Sequence, residues 1–302
     1  MPARFRRERV LIVGCGDVGV RVVRELAPRV RLLALTSSPA RIPELRALGL
    51  TPLLGDMDKP ASLKRLSGLA SRVVHLAPPP GLGRHDPRTK ALLATLRRRS
   101  TVQSFVYGST SGVYGDCQGD FVTESRAPNP ETVRAQRRID AEDRVRHFGR
   151  ATGTCVTVLR IPGIYAPDRV GGTPRERLLK GTPVLQQADD VFTNHIHADD
   201  LARACVAAMW RGRAGRSYNV NDDTQLKMGD YFDLAANLYG LPKPPRLPRA
   251  LAQEQLPVMQ LSFMSESRRM DNSRMKLELR LKLRYPSVID GLAAIPRQGR
   301  DA

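Results

Sequence analysis

The stretch RVLIVGCGDVGVRVVRELA, residues 9–27, restricts the fold more than any other part of the chain. It begins as an apolar run of buried-strand length and ends with Val18, Val22 and Leu26 at helical spacing. Between the two, Gly14, Gly16 and Gly19 form a GxGxxG turn. Between a strand and a helix this spacing has a physical purpose. The glycines permit a tight turn and let a pyrophosphate approach the amides at the helix N-terminus. The residues therefore predict a dinucleotide site, the competing interpretation being a tight β–α turn that only packs.

The same alternation continues along the chain. Strand-like VRLLALT (30–36), TPLLGD (51–56), SRVVHLAPP (71–79), VQSFVYGST (102–110) and GTCVTVLRIPG (153–163) are separated by helical patterns at 39–49, 86–99 and 131–150. Such βαβ repetition predicts an α/β fold, a Rossmann-type doubly wound parallel sheet. The second half is less regular. A strand near 191–204 runs into a helix ending around Gly212, and a strand follows at 216–222. The proline-rich segment at 241–257 reads as a loop over a C-terminal lobe. At 302 residues the chain can bury a large core and a smaller one. The expected organisation is an NAD(P)-binding domain over 1–165, completed by 190–222, and a smaller α/β substrate-binding lobe from 166–190 and 223–302.

Composition narrows the partners. With 41% hydrophobic and 26% charged residues the chain is globular in character. It has no apolar run near the roughly 20 residues that span a bilayer. The basic start MPARFRRERV enters a strand without the apolar core of a signal peptide, which predicts a cytoplasmic address. Cys15, Cys117, Cys155 and Cys205 are scattered, so reduced structural thiols and no metal site are expected. The net charge of +19 suits either a nucleic acid or an anionic substrate. Eight lysines leave 49 − 8 = 41 arginines, spread along the chain, and only 5% of residues are aromatic. That leaves little stacking surface for single strands. With no helix-turn-helix, RNP or zinc-finger pattern, nucleic acid is the disfavoured partner.

The ribose question turns on the end of the second strand, where NAD sites usually place an acid. Here LTSSPAR supplies Thr36, Ser37 and Ser38, then Arg41 one turn later, with no acid before Glu44. Without a carboxylate to repel it, a 2′-phosphate can accept from these donors with Arg41 as counter-charge. NADP(H) is expected over NAD(H). Serine followed by proline is also an ordinary helix N-cap.

After the glycine turn come LLGDMDKP, VVHLAPPPG, FVYGSTSGVYGD with VTESRAPNPET, TVLRIPGIYAP, NHIHADDLARA and YNVNDD, in that order. The series, from about residue 8 to 295, resembles the extended short-chain dehydrogenase/reductases, the NAD(P)-dependent epimerase/dehydratase superfamily. Within it the chain is most similar to the atypical YeeZ-like branch. The resemblance implies that Gly14, Gly16, Asp17, Val18 and Gly19 lie at the diphosphate and Thr36 through Arg41 around the ribose. It implies Asp56 and Met57 at the adenine, Ala77 and Pro78 along the nicotinamide channel, and Pro162 to Tyr165 near the carboxamide. Thr110, four residues before Tyr114, falls at the Ser/Thr position that hydrogen-bonds the substrate oxygen, and His197 and Asp199 fall where the lobes join. A homodimer through helices 86–99 and 131–150 is also implied.

The departure lies in RAQRRIDAEDRVR, residues 134–146. Active members carry Tyr-x-x-x-Lys here, with a glutamate four residues beyond the lysine. Glu142 sets that register, placing Arg134 at the tyrosine position and Arg138 at the lysine position. A guanidinium keeps the lysine's charge, but its pKa above about 12 prevents proton exchange near neutrality. Arg134 therefore cannot act as general acid or base. Tyr114, Tyr165, His195 and His197 are the other proton donors in range of the motifs, with packing roles favoured for all of them. Asp140–Arg144 and Glu142–Arg146 form i,i+4 pairs worth roughly 0.2–0.5 kcal/mol each, and Glu131 can reach Arg134 at i+3.

Three functions follow. The first is an NADP(H)-binding oxidoreductase acting on a small carbonyl or anionic substrate. In it Arg134 and Arg138 position the anion, and Thr110, Tyr114 or water hydrogen-bonds the substrate. The second is a non-catalytic dinucleotide sensor, and the third a basic nucleic-acid-associated protein. The glycine turn favours the first two; the missing tyrosine favours the second over the first.

Overall fold

The computed structural model describes residues 8–27, 29–99, 101–257, 261–262 and 264–294. Its centre is a parallel sheet of β1 (Arg9–Val13), β2 (Arg31–Thr36), β3 (Thr51–Leu54), β4 (Arg72–His75), β5 (Ser104–Thr110), β6 (Cys155–Ile161) and β7 (Ser217–Asn219). The spatial order is β7-β6-β5-β4-β1-β2-β3, every neighbouring pair parallel. Val10, Leu11, Ile12 and Val13 are all fully buried. Both faces of β1 are thus covered, which is why its sequence shows an unbroken apolar run and no alternation.

Helices α1 (Asp17–Leu26), α2 (Ile42–Ala47), α3 (Pro87–Arg97), α4 (Val133–Thr152), α5 (Arg175–Leu179), α6 (Ala198–Arg211) and α7 (Met228–Tyr239) complete the frame. On one face of the sheet Val22 and Leu26 of α1 pack with Leu201, Ala204 and Ala208 of α6. On the other face lie Leu92 and Leu96 of α3 with Ala141 and Val145 of α4. A separate core of Leu178, Val184, Tyr231, Phe232, Ala252 and Leu292 belongs to the smaller lobe. The strand order reverses between β1 and β4, which opens a crevice at the C-terminal edge where ligands of such sheets bind.

The three glycines of the first turn have different jobs. Gly14 has φ +87°, and a Cβ there would lie 2.3 Å from the amide nitrogen of Ala77. A Cβ on Gly19 would lie 3.0 Å from the Gly14 carbonyl oxygen, so α1 can approach the turn closely only without a side chain. Gly16 is exposed and its Cβ would meet no atom within 4 Å. It leaves open space at the N-terminus of α1.

The structure corrects the second half of the sequence-based outline. The segment at 241–257 is not a loop, because Arg246–Leu247 pairs in parallel with Val184–Leu185 and Arg249–Gln255 is helical. RALAQEQ consists of strong helix formers, and Pro248 stands just outside the first turn, where it breaks no hydrogen bond. The single strand expected near 191–204 is two: Phe192–Thr193 pairs with Leu226–Lys227, and His195–His197 with Gly163–Tyr165. The helix expected at 39–49 is a 3₁₀ turn, Pro39–Arg41, before α2. Among the described residues no helix is long and apolar enough to cross a membrane.

The glycine turn yields a stability test. Gly14→Ala should cost about 1–3 kcal/mol through the left-handed backbone and the clash with Ala77. Gly16→Ala should cost less than about 1 kcal/mol, a weaker helix cap being its main effect. Urea unfolding of both variants checks the order; equal midpoints would contradict it.

Candidate functional site

A cavity of about 430 Å³ lies between the C-terminal edge of β5 and β6 and the smaller lobe. Thr110 ends β5, Pro162 follows β6, and Arg134 and Arg138 project from α4. The lobe adds Arg177 from α5 and Tyr231 and Phe232 from α7, with His195 beside them. Four of the expected residues, Thr110, Arg134, Arg138 and Pro162, are thus brought to one cavity from three separate segments.

Why α4 faces the cavity is a matter of spacing and one buried acid. Arg134, Arg138 and Glu142 repeat every four residues and share a helix face. Glu142 is fully buried. It accepts from the Ser109 hydroxyl at 2.6 Å, from Arg160 Nη2 at 2.9 Å and from Arg146 Nη2 at 2.9 Å. Burial opposes its ionisation, but Arg160, Arg146 and Ser109 outweigh burial and hold the carboxyl below its ordinary range. The Glu142–Arg146 pair expected from its i,i+4 spacing forms, with the acid fully buried and the arginine half-buried. Asp140 pairs with Arg144 at 2.7 Å as expected, and also accepts from the Asp86 amide at the start of α3.

Anchored in this way, Arg138 donates to the Gly108 carbonyl at 2.8 Å and the Tyr107 hydroxyl at 3.2 Å. Neither partner is a carboxylate, so the guanidinium's charge is not cancelled there. Tyr107 itself is buried, and burial pushes its phenol up to about 12. Beside it, burial and the charge of Arg138 push His75 down to about 3, so the imidazole is neutral at pH 7. Thr110 Oγ1 accepts from the Gly112 amide at 3.3 Å, which leaves the hydroxyl proton available to the cavity.

The expectation of a catalytic Tyr114 is corrected. The 3₁₀ turn Ser111–Tyr114 swings this ring into a small core with Val113, Cys117, Val122 and Met270. Its hydroxyl donates to Asn219 Oδ1 at 2.7 Å, and Arg160 lies 4.7 Å from the ring centroid. Tyr114 does not line the cavity. Tyr165 does, but its hydroxyl donates to the Ser287 carbonyl at 3.1 Å, and burial with nearby Asp222 drives its pKa far upward. His195 stacks on Tyr231 at 4.2 Å and meets Thr193 Oγ1 at 3.0 Å; burial pushes it down to about 4. His197 caps α6 by accepting from the Asp199 amide, a structural task.

The expected dinucleotide residues gather along the same sheet edge. The Gly14–Gly19 turn follows β1, Thr36 ends β2, Asp56 and Met57 follow β3, and Ala77 and Pro78 follow β4. Asp17 is bound by Arg21 at 3.3 Å and Arg169 at 3.2 Å, so its charge is compensated beside the open glycine. Val18 is half-buried against the sheet. The Thr36 hydroxyl accepts from the Ser38 amide, and Ser37 is exposed. Arg41 is held by both oxygens of Glu44, at 3.1 and 3.0 Å. A 2′-phosphate would have to share Arg41 with that acid.

Sequence reasoning missed Arg177, Tyr231, Glu266 and Arg268, all on the cavity wall. None sits in a recognisable motif, and an arginine carries no signal of its own in a chain this rich in arginine.

A family model for the NAD dependent epimerase/dehydratase family matches residues 10–221. The chain belongs to that family. It is 28% identical to a 3-diazoavenalumate denitrifying reductase from a Streptomyces species, over 94% of this chain and 99% of the relative. It shares 31% identity and a TM-score of 0.81 with a conserved protein of unknown function from Silicibacter pomeroyi, over 94% and 96% of the two chains. A UDP-glucuronic acid 4-epimerase from Bacillus cereus, solved in complex with NAD, has the same fold at 19% identity and TM-score 0.74, over 95% and 96%. Among the described residues of this family member, no group of three His, Cys, Asp or Glu is placed to hold a metal ion.

The buried acid gives the second test. Glu142→Gln leaves Arg160 buried without its counter-charge and should cost about 3–5 kcal/mol at pH 7. Because the folded carboxyl titrates below its ordinary value of 4.5, the stabilisation is complete above 4.5 and lost as pH falls through the folded value. The gap between wild type and variant should therefore close in acid. Denaturant melts at pH 7 and pH 3.5 measure it; a gap independent of pH would refute the assignment.

Proposed function

We propose that this protein is an NADP(H)-dependent oxidoreductase that acts on a small carbonyl-bearing or anionic substrate without a Tyr-x-x-x-Lys pair. The observation that carries this reading is the cavity that joins Thr110 and Pro162 of the sheet edge to Arg134 and Arg138 of α4. The open space at Gly16, the close approach of Gly14 to Ala77 and the compensated Asp17 suit a diphosphate at the N-terminus of α1. Thr36 to Arg41 would surround the ribose, Asp56 and Met57 would border the adenine, and Ala77, Pro78 and Pro162 would lead to the nicotinamide. When bound, the dinucleotide supplies the hydride. Thr110 donates a hydrogen bond to the substrate oxygen, Arg134 and Arg138 hold negative charge beside it, and the proton that completes reduction of a carbonyl comes from water. Neither arginine moves a proton. The likeness to a reductase over nearly the full length supports the reducing direction.

The preference for NADP(H) rests on the missing acid at the end of β2 and on Arg41. Titration followed by nicotinamide fluorescence should show saturable NADPH binding. Arg41→Ala should weaken NADPH roughly tenfold and leave NADH nearly unchanged, as one charge-assisted hydrogen bond to phosphate predicts. Glu44→Gln, which frees Arg41, should tighten NADPH. No binding of either nucleotide at millimolar concentration would overturn the proposal.

A second reading, a dinucleotide sensor without turnover, is favoured by arginine at 134 where the family resemblance expects tyrosine. A carbonyl and nucleotide-sugar substrate screen of wild type against the double variant Arg134→Tyr/Arg138→Lys separates the two. Turnover in wild type supports the oxidoreductase, and turnover only in the double variant supports the sensor.

A further inference from the structure

Among the described residues Arg177 has no ion partner. It stands on α5, on the lobe's side of the cavity, with its guanidinium 4.4 Å from the centroid of Phe232. Its Nε and Nη2 atoms are shielded from solvent and meet no hydrogen-bond acceptor among the described residues. Burial pulls its pKa below the ordinary arginine value. Arg21 and Arg160 show the opposite, because their carboxylate partners outweigh burial.

The other lobe arginine on this wall, Arg268, has its charge compensated from within. Glu266 accepts from it at 2.8 Å and the Gly115 carbonyl at 2.6 Å. Guanidinium N–H groups shielded from water without such partners are costly to keep, and on the wall of a cavity a ligand can supply the missing partner. The wall beside Arg177 is aromatic: Phe232 meets Tyr231 edge to face at 5.7 Å, and Tyr231 carries the stacked ring of His195. This histidine is neutral at pH 7, so it adds no charge there. The wall therefore offers an apolar aromatic surface with one uncompensated positive charge at its end.

We propose that Arg177 binds the carboxylate of a compact carboxylic acid whose apolar body lies against Tyr231 and Phe232 and whose reducible centre reaches Thr110. The assignment rests on reading this cavity as the reductive site. One planar, singly charged carboxylate matches one guanidinium fork. A phosphate dianion would bring a second charge to a lobe wall where Arg177 is the one uncompensated cation among the described residues.

Calorimetric titration of the full chain with cinnamate, cinnamamide and phenyl phosphate, with and without saturating NADPH, tests the proposal. Cinnamate should bind at least tenfold more tightly than its uncharged amide in the wild type, a comparison that needs no variant. Arg177→Gln should reduce cinnamate to the level of the amide, and Arg177→Lys should recover part of the difference. Equal binding of acid and amide, cinnamate affinity unchanged in Arg177→Gln, or phenyl phosphate bound more tightly than cinnamate would each overturn it. Nicotinamide fluorescence on the same samples separates the two readings. Acid-over-amide selectivity without dinucleotide binding upholds Arg177 and overturns the oxidoreductase; dinucleotide binding without the selectivity does the reverse.

Discussion

The placement of the whole cavity depends on one buried carboxylate. Glu142 ties α4 to β5 through Ser109 and to β6 through Arg160, while Arg146 extends the network to Ser217 on β7. A carboxylate this deep is tolerated only because cations and a hydroxyl satisfy it; with one partner missing it would oppose folding. With all of them present it fixes both the height and the rotation of α4 on the sheet. Arg138 and Arg134, one and two turns earlier, must then face the cavity whatever their own contacts.

Charge compensation elsewhere follows the same logic and sets the cavity apart. Arg21, nearly buried, is held by Asp17, Asp168 and Asp199, joining the glycine-turn helix to the segment after the short strand Gly163–Tyr165 and to α6. Arg246 is held by Asp233, and Arg203 by Asp200. Each of these acids ties a cation to an element other than its own or fixes it within one. The cavity collects Arg138 and Arg177 with Glu266, whose charge Arg268 already takes. Positive charge left on a concave wall is the physical basis for expecting a negatively charged ligand there.

Legibility in the sequence followed the range of the interactions concerned. The strand–glycine–helix unit, the parallel alternation and the four-residue repeat from Arg134 to Glu142 are local patterns, and each element formed close to where periodicity put it. Local pattern failed at Tyr114, which stands in the expected motif but is carried into a core by a turn of only four residues. It failed also at 249–255, where the prolines before the segment masked a run of helix formers. Glu44 lay in plain view beside Arg41, yet only the side-chain geometry shows both of its oxygens on that guanidinium.

By itself the sequence determined the sheet, the glycine turn and the identity of the residues on α4, because these depend on spacings of a few residues and on backbone freedom at glycine. The tertiary structure alone decided which arginines are cancelled and which are not. Arg160 and Arg177 look alike in a one-letter string; one meets Glu142 across 18 residues of chain, and the other meets a ring and, among the described residues, no acid. Charge compensation acts through space over a few ångströms, so its pattern exists only once distant segments have been packed together.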